Sequence, residues 1–233
     1  MDDIKTWWEW LDDEWKHIFS AAVGRETPDK LTDDELRRIV HLDELHCGAT
    51  AITSLEPLRH LPHLRILGCF ETAITDLTPL AHLPELEIVG CSETQIESLE
   101  PLRHLSRLKI LKCYATFVES LEPLEALNLE VLDCSGTQIP SLEPLRKMTS
   151  LQTLSCGGNV ITSLEPLRGL PNLQELDCGY TQVKTLEPLY GLSNLRKLFC
   201  KKTPVSTNIK EIESFKHACP DCKIQDVWYE FAL

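Results

Sequence analysis

Eight cysteines recur along this chain at an almost fixed interval, and that interval limits the fold more than any other feature. Cys47, Cys69, Cys91 and Cys113 stand 22 residues apart, Cys134 follows after 21, and Cys156, Cys178 and Cys200 resume the 22-residue step. The short step has a visible cause. Pro101 to Cys113 reads PLRHLSRLKILKC, whereas Pro123 to Cys134 reads PLEALNLEVLDC, one residue shorter. Self-similarity at such a period marks a stacked array, because one short unit cannot bury its own apolar face and needs neighbours on both sides.

Each cysteine occupies the same frame, as in Leu64-Arg65-Ile66-Leu67-Gly68-Cys69-Phe70-Glu71-Thr72-Ala73-Ile74, or LxxLxCxxTxI. Alternation puts the leucines and the cysteine on one face of a short strand, and that face stacks inward. The frame resembles the leucine-rich-repeat segment LxxLxLxxNxL, with cysteine for the third leucine and threonine for asparagine. The second half, as in SLEPLRHLPH, resembles the 22-residue repeats of bacterial internalin-type proteins. The resemblance runs from about Leu42 to Val205, eight repeats. It implies an α/β leucine-rich-repeat solenoid, curved and right-handed, with a parallel β-sheet on its concave side.

Cysteine is small, apolar in behaviour and readily buried, so the row reads as core packing. Parallel strands lie ~4.8 Å apart, too far for the ~3.8 Å Cβ separation of a disulfide. A single file is also not a tetrahedral metal cage. Thr50, Thr72, Thr94, Thr116, Thr137, Thr181 and Thr203 can offer hydroxyls to the backbone at the turn leaving each strand, and Asn159 alone keeps asparagine there. On the convex side, Glu-Pro pairs open a helical turn, where the missing proline N–H is harmless. Arg59, Arg103, Arg146 and Arg168 follow the preceding glutamates by three residues and can pair with them.

A solenoid exposes its core at both ends unless capped. Residues 1–41 are expected to form an N-terminal helical cap, 42–205 the solenoid, and 206–233 a C-terminal helix-and-strand cap. Ile4, Trp7, Trp8, Leu11, Trp15, Ile18, Phe19, Ala22 and Val23 follow helical spacing and read as one amphipathic helix, with Trp10 off the stripe. Thr32 and Glu35 form a capping-box pattern for a second helix. Asn208 and Glu211 do the same for a helix to Ala218, with Ile209, Ile212 and Phe215 inward. CPDCKIQDVWYEF then supplies a last strand. The tryptophans also leave open a docking helix for a partner. Cys219 and Cys222 form a CxxC, readable as core packing, a labile disulfide or half a zinc site. Aligning Pro220 with Pro171 puts Cys222 on Leu173, off the cysteine row.

The net charge of −13 opposes nucleic-acid binding and adhesion to anionic membranes, and favours basic partners. The opening MDDIKTWWEWLDDEW has acids where a secretory signal has basic residues, and no run reaches ~18 apolar residues. A cytoplasmic, monomeric protein with free thiols is expected. Phosphate-loop, nucleophile-elbow, zinc-protease and dinucleotide motifs are absent, so no enzymatic activity and no cofactor or metal is expected. A thiol-dependent enzyme would need a reactive cysteine outside the row, and only Cys219 and Cys222 qualify.

The outward residues of the sheet remain. Ile66, Ile88, Ile110 and Val131 form an apolar row, with Phe70, Tyr114 and Phe117 beside it and Lys112 and Asp133 flanking it. Gly68 and Gly90 leave a trough, and Ser92 leaves a gap between Phe70 and Tyr114. These nine residues are the candidate partner-binding site for a protein, because exposed apolar strips with aromatics mark interfaces. β-Branched residues in the row also simply favour strands. The alternative use of the same face is to cover an enzyme's active site as an inhibitor or regulatory subunit. Beyond the patch the surface turns polar: Thr153, Ser155 and Gly157, then Glu175, Asp177 and Tyr180, then Lys197, Phe199, Lys201 and Lys202.

Overall fold

The computed structural model describes residues 2–29 and 31–225. Each repeat contributes a three-residue strand: β1 Glu44–His46, β2 Ile66–Gly68, β3 Ile88–Gly90, β4 Ile110–Lys112, β5 Val131–Asp133, β6 Thr153–Ser155, β7 Glu175–Asp177 and β8 Lys197–Phe199. The terminal segment adds β9, Lys223–Gln225. Among the described residues these strands form one parallel sheet in strict chain order. The register never slips. Ile66 pairs with Ile88, Ile88 with Ile110, and Ile110 with Val131 across the 21-residue repeat. The missing residue is therefore absorbed on the back of the array.

That back is a stack of 3-10 turns, from Glu56–His60 and Thr78–His82 to shorter ones such as Glu100–Leu102, with proline in the first positions of the turns of the first seven repeats. The expected ion pairs form: Arg59–Glu56 at 2.6 Å, Arg103–Glu100 at 2.6 Å and Arg168–Glu165 at 2.7 Å, with Arg146–Glu143 alike. They are exposed, and exposed pairs of this kind contribute ~0–1 kcal/mol each.

The inward leucines and all eight row cysteines are buried in one continuous core. Each row threonine donates its hydroxyl to the carbonyl of the cysteine three residues before it, as Thr72 does to Cys69 at 2.8 Å. The residue just before this threonine or asparagine adopts positive φ in every repeat, at Ala49, Glu71, Glu93, Ala115, Gly136, Gly158, Tyr180 and Lys202. Left-handed backbone is costly for residues with a Cβ. The turn needs it because the chain must leave the strand sharply, and only Gly136 and Gly158 signalled this in the sequence.

Burial pushes the Cys47 and Cys91 thiols up to about 12 and raises Cys69, Cys113, Cys156 and Cys178 well above their ordinary value. Thiols so disfavoured as thiolates are poor nucleophiles. Iodoacetamide at pH 8 is therefore expected to leave the row unmodified in the native chain and to label it fully after denaturation. Circular dichroism should be indifferent to reductant. Rapid native labelling of the row, followed by mass spectrometry of its peptides, would contradict this packing.

The N-terminal segment differs from its sequence reading in two respects, of which the smaller is that Ala22, expected on the inward stripe, is exposed. The stripe is split between α1, Asp2–Trp10, and α2, Asp13–Ala22. Asp12 breaks it by acting as an N-cap, its carboxylate accepting from Trp15 N–H at 2.8 Å. Asp13 and Glu14 then suit the positive end of α2. The third helix, α3, Asp33–Val40, starts at the expected Thr32–Glu35 capping box. The three helices cover the first repeat. Trp7, Leu11, Trp15, Phe19, Leu36 and Ile39 are buried in continuity with the core. Trp15 Nε1 donates to the Ser54 carbonyl at 3.2 Å, and Trp7 stacks on His60 with centroids 5.1 Å apart. Trp10 points away and is 85% exposed.

At the other end α4, Ile209–Ala218, is capped by Asn208, which accepts from Glu211 N–H at 3.3 Å. The box is not reciprocal. Glu211 instead reaches back to repeat seven, accepting from Thr185 Oγ1 at 2.7 Å and Leu186 N–H at 2.8 Å. Phe215 is buried and Ile212 half-buried, but Ile209 is 73% exposed, contrary to its expected inward place. Glu211's grip on the solenoid orients the helix and leaves its first residue outside. Cys219 and Cys222 are buried free thiols. Lys223 pairs with Lys197, so Cys222 lies off the cysteine row as expected, but opposite Arg196 and one place past the frame leucine. Residues 226–233, the end of the expected last strand, lie outside the described residues.

Candidate functional site

The outward face of the sheet is built by columns, one residue per repeat. In the first column Ile66, Ile88, Ile110 and Val131 are consecutive register partners and all half-buried, so the apolar strip exists as a contiguous row. Lys112 and Asp133 are register partners in the next column, also half-buried. Phe70 and Phe117 are exposed, Phe117 by 52%, and Tyr114 is half-buried. Phe117 lies past the turn at Ala115, beyond the end of β4, and the other eight candidates lie at alternate outward positions of β2 to β5 and their exits.

The relief of that face differs from expectation in two places. Gly68 leaves no trough, because a Cβ there would lie 2.7 Å from Nδ1 of His46, whose ring fills the space. Glu44 Oε1, 2.7 Å from Nε2, fixes that ring. The expected gap over Ser92 is not open, although Phe70 leans away from it. Phe70 leans back over Gly48, where a Cβ would meet its ring at 2.8 Å. The Tyr114 hydroxyl reaches back to Glu93 Oε1 at 2.9 Å. Ser92, between them, is 2% exposed, and its hydroxyl finds no partner among the described residues.

Further along, the region expected to be polar surface contains a buried acid. Asp133, Ser155 and Asp177 are successive register partners on β5, β6 and β7. Asp133 Oδ1 accepts from the Ser135 N–H at 3.0 Å and its hydroxyl at 2.6 Å. Asp177 is only 7% exposed, and its Oδ1 accepts from Gly179 N–H at 2.7 Å. Burial pushes its carboxyl up to about 6, with the charge on Asp133 adding and the Gly179 N–H opposing. Around it, β6 contributes no titratable group, and Glu175 on its own strand is paired with Lys197 of β8 at 2.6 Å. A carboxyl raised above its unfolded value opposes folding once ionised. Stability falls as pH rises from about 4 to about 6, and the deficit persists above that. Phe199, next in the column, is buried against Gly179, where a Cβ would meet its ring at 2.5 Å. What set Asp177 apart from Asp133 in the sequence was glycine in the adjoining outward column, Gly179 in its own repeat and Gly157 in the preceding one, where Asp133 has Ser135 and Tyr114.

Strands in single file, 3-10 turns behind them and a buried cysteine in each repeat define a leucine-rich-repeat solenoid with a cysteine ladder. Residues 127–169 and 171–220 match the family model described as Leucine Rich repeats (2 copies). Among solved structures the chain is similar to an internalin C2 from Listeria monocytogenes, with 27% identity, a TM-score of 0.67, and coverage of 80% of this chain and 92% of that one. It shares its fold with a leucine-rich-repeat protein of Leptospira interrogans, at 21% identity and TM-score 0.56, covering 82% of this chain and 62% of that one. The same holds for the functional domain of InlJ from Listeria monocytogenes, described as including a cysteine ladder, at 20% identity and TM-score 0.52, covering 87% and 52%. No curated protein sequence matches the chain.

Proposed function

We propose that this chain is a non-enzymatic protein-binding module that holds its partner against the outward face of the sheet between the second and fifth repeats. The observation that carries this is the in-register row Ile66, Ile88, Ile110 and Val131, flanked by the exposed rings of Phe70 and Phe117. A rigid apolar strip on a sheet is held in place before binding, so little ordering entropy opposes association. The ladder thiols are buried and poorly ionised, which removes the obvious nucleophiles and supports a binding role over a catalytic one. The excess of negative charge disfavours a nucleic-acid partner. A reducing, cytoplasmic setting and a monomeric state complete the reading.

Affinity capture from lysate of the source cell, repeated with variants, tests it. Phe70→Ala and Tyr114→Ala leave the inward columns intact and should cost the fold no more than about 1 kcal/mol. Each should weaken partner binding by ~2 kcal/mol or more if it is an anchor. Glu143→Ala, on the convex edge, should have no effect. A partner that ignores both aromatic changes but responds to Trp10→Ala or Glu143→Ala places the interface elsewhere.

A further inference from the structure

We infer that the slot bounded by Asp133, Ser155 and Asp177 receives a lysine or arginine side chain of the protein segment that binds the apolar row. This rests on the concave-face reading and names the chemistry of its occupant.

Asp177 is the best-buried carboxylate among the described residues, yet no lysine, arginine or histidine among them pairs with it. One backbone N–H satisfies Oδ1, and no donor among the described residues reaches Oδ2. A buried charge without a counter-charge is costly and is ordinarily removed or compensated. Two neighbours enclose it, and Ser155, between it and Asp133, is itself 3% exposed. Phe199 walls it off toward β8. Toward β6 the carboxylate lies over Gly157, where a Cβ would stand 3.1 Å from Oδ2 and 3.2 Å from Oδ1. Any other residue at 157 would occupy the place that an incoming group needs. Beyond Ser155 stands Asp133, two strand spacings or about 10 Å away. Its negative charge opposes the ionisation of Asp177, so a cation lodged between them relieves both.

Position supplies the rest. Asp133 follows Val131, the last member of the apolar row, by two residues on the same strand. A segment lying across the strands with apolar side chains on Ile66 to Val131 therefore brings its next side chain to the slot. Two carboxylates and a hydroxyl are too few ligands for a metal cage, whereas an ammonium or guanidinium needs only acceptors. The net charge of −13 draws basic segments to the surface as a whole.

Random 12-residue peptides displayed on phage, selected on the full chain and on Asp177→Asn, test this. Asparagine keeps the acceptor for Gly179 N–H and removes the buried charge, so its melting temperature above pH 6 should equal or exceed that of the parent. Peptides selected on the parent should carry lysine or arginine at one fixed position, and those selected on Asp177→Asn should not. A synthetic peptide from the first set should lose about thirtyfold or more in affinity toward Asp177→Asn. Replacing its basic residue by norleucine should cost as much on the parent and little further on the variant. Peptides that need Phe70 and Tyr114 but show no basic position, or whose basic residue is indifferent to Asp177→Asn, overturn this inference and leave the concave site standing. An empty selection, or peptides indifferent to Phe70, Tyr114 and Asp177 alike, overturns both.

Discussion

Removing residues 1–40 is expected to abolish the soluble monomer. The three helices and the link between the first two bury Trp7, Leu11, Trp15, Phe19, Leu36 and Ile39 in continuity with the core. Large apolar side chains stabilise by ~1.5–3 kcal/mol each when fully buried, so six of them rival the ~5–15 kcal/mol net stability of a domain. The cut also uncovers Leu45, Ile52, Leu55 and Leu58, and opens the free edge of β1. An exposed apolar end beside an unpaired strand edge is an aggregation site. Size-exclusion chromatography of the shortened chain should show aggregates or no soluble protein. A monomer with an unaltered melting temperature would make the segment an appended docking arm, the reading its tryptophans also allow.

The second large effect is expected at Asn159. Its side chain is buried, and all of its hydrogen-bonding atoms are engaged across two repeats. Nδ2 donates to the Cys134 carbonyl at 2.8 Å and the Cys156 carbonyl at 3.1 Å. Oδ1 accepts from the Ile139 N–H at 2.8 Å and lies 2.9 Å from the Thr137 hydroxyl, whose single proton it shares with the Cys134 carbonyl. Alanine leaves the buried Ile139 N–H without this acceptor and strips a donor from two carbonyls. A cost of ~2–4 kcal/mol follows, since each buried group left unpaired loses ~1–3 kcal/mol. Threonine should cost less, because it restores the hydroxyl-to-cysteine-carbonyl bond that the seven threonine repeats make. Urea denaturation measures both. A loss below about 1 kcal/mol for alanine would mean that water replaces these bonds and the site is not sealed.

Periodicity carried most of the architecture. Once Cys47 through Cys200 set the phase, the strand, the inward columns and the proline turns followed for every repeat, because each column repeats one packing problem. Capping chemistry carried the start of α3 at Thr32. The reading failed where two local signals competed. Asp12 interrupts an otherwise continuous stripe, and an N-cap preference outweighed helical spacing there. Ile209 fits the apolar spacing of α4, but Glu211's tie to Thr185 and Leu186 sets the rotation of that helix. On the concave face, the alternation of the strands could be read and the relief could not. Alternation says which side chains point out, but not that Phe70 folds back onto Gly48 or that Asp177 sinks beside Phe199. Those depend on rotamers and on what the neighbouring repeat leaves vacant.

The 21-residue repeat has a consequence for how such a chain can change over generations. Its strand stays in register with both neighbours although a residue is missing behind it. A codon lost or gained in the convex segment is therefore tolerated, while the same event within a strand would turn the rest of that strand's side chains to the opposite face. Unequal recombination between repeats preserves phase whenever it exchanges whole units. Length and recognition surface can then be edited separately: crossovers extend the sheet by one strand spacing at a time, and point substitutions in the outward columns rewrite what it holds.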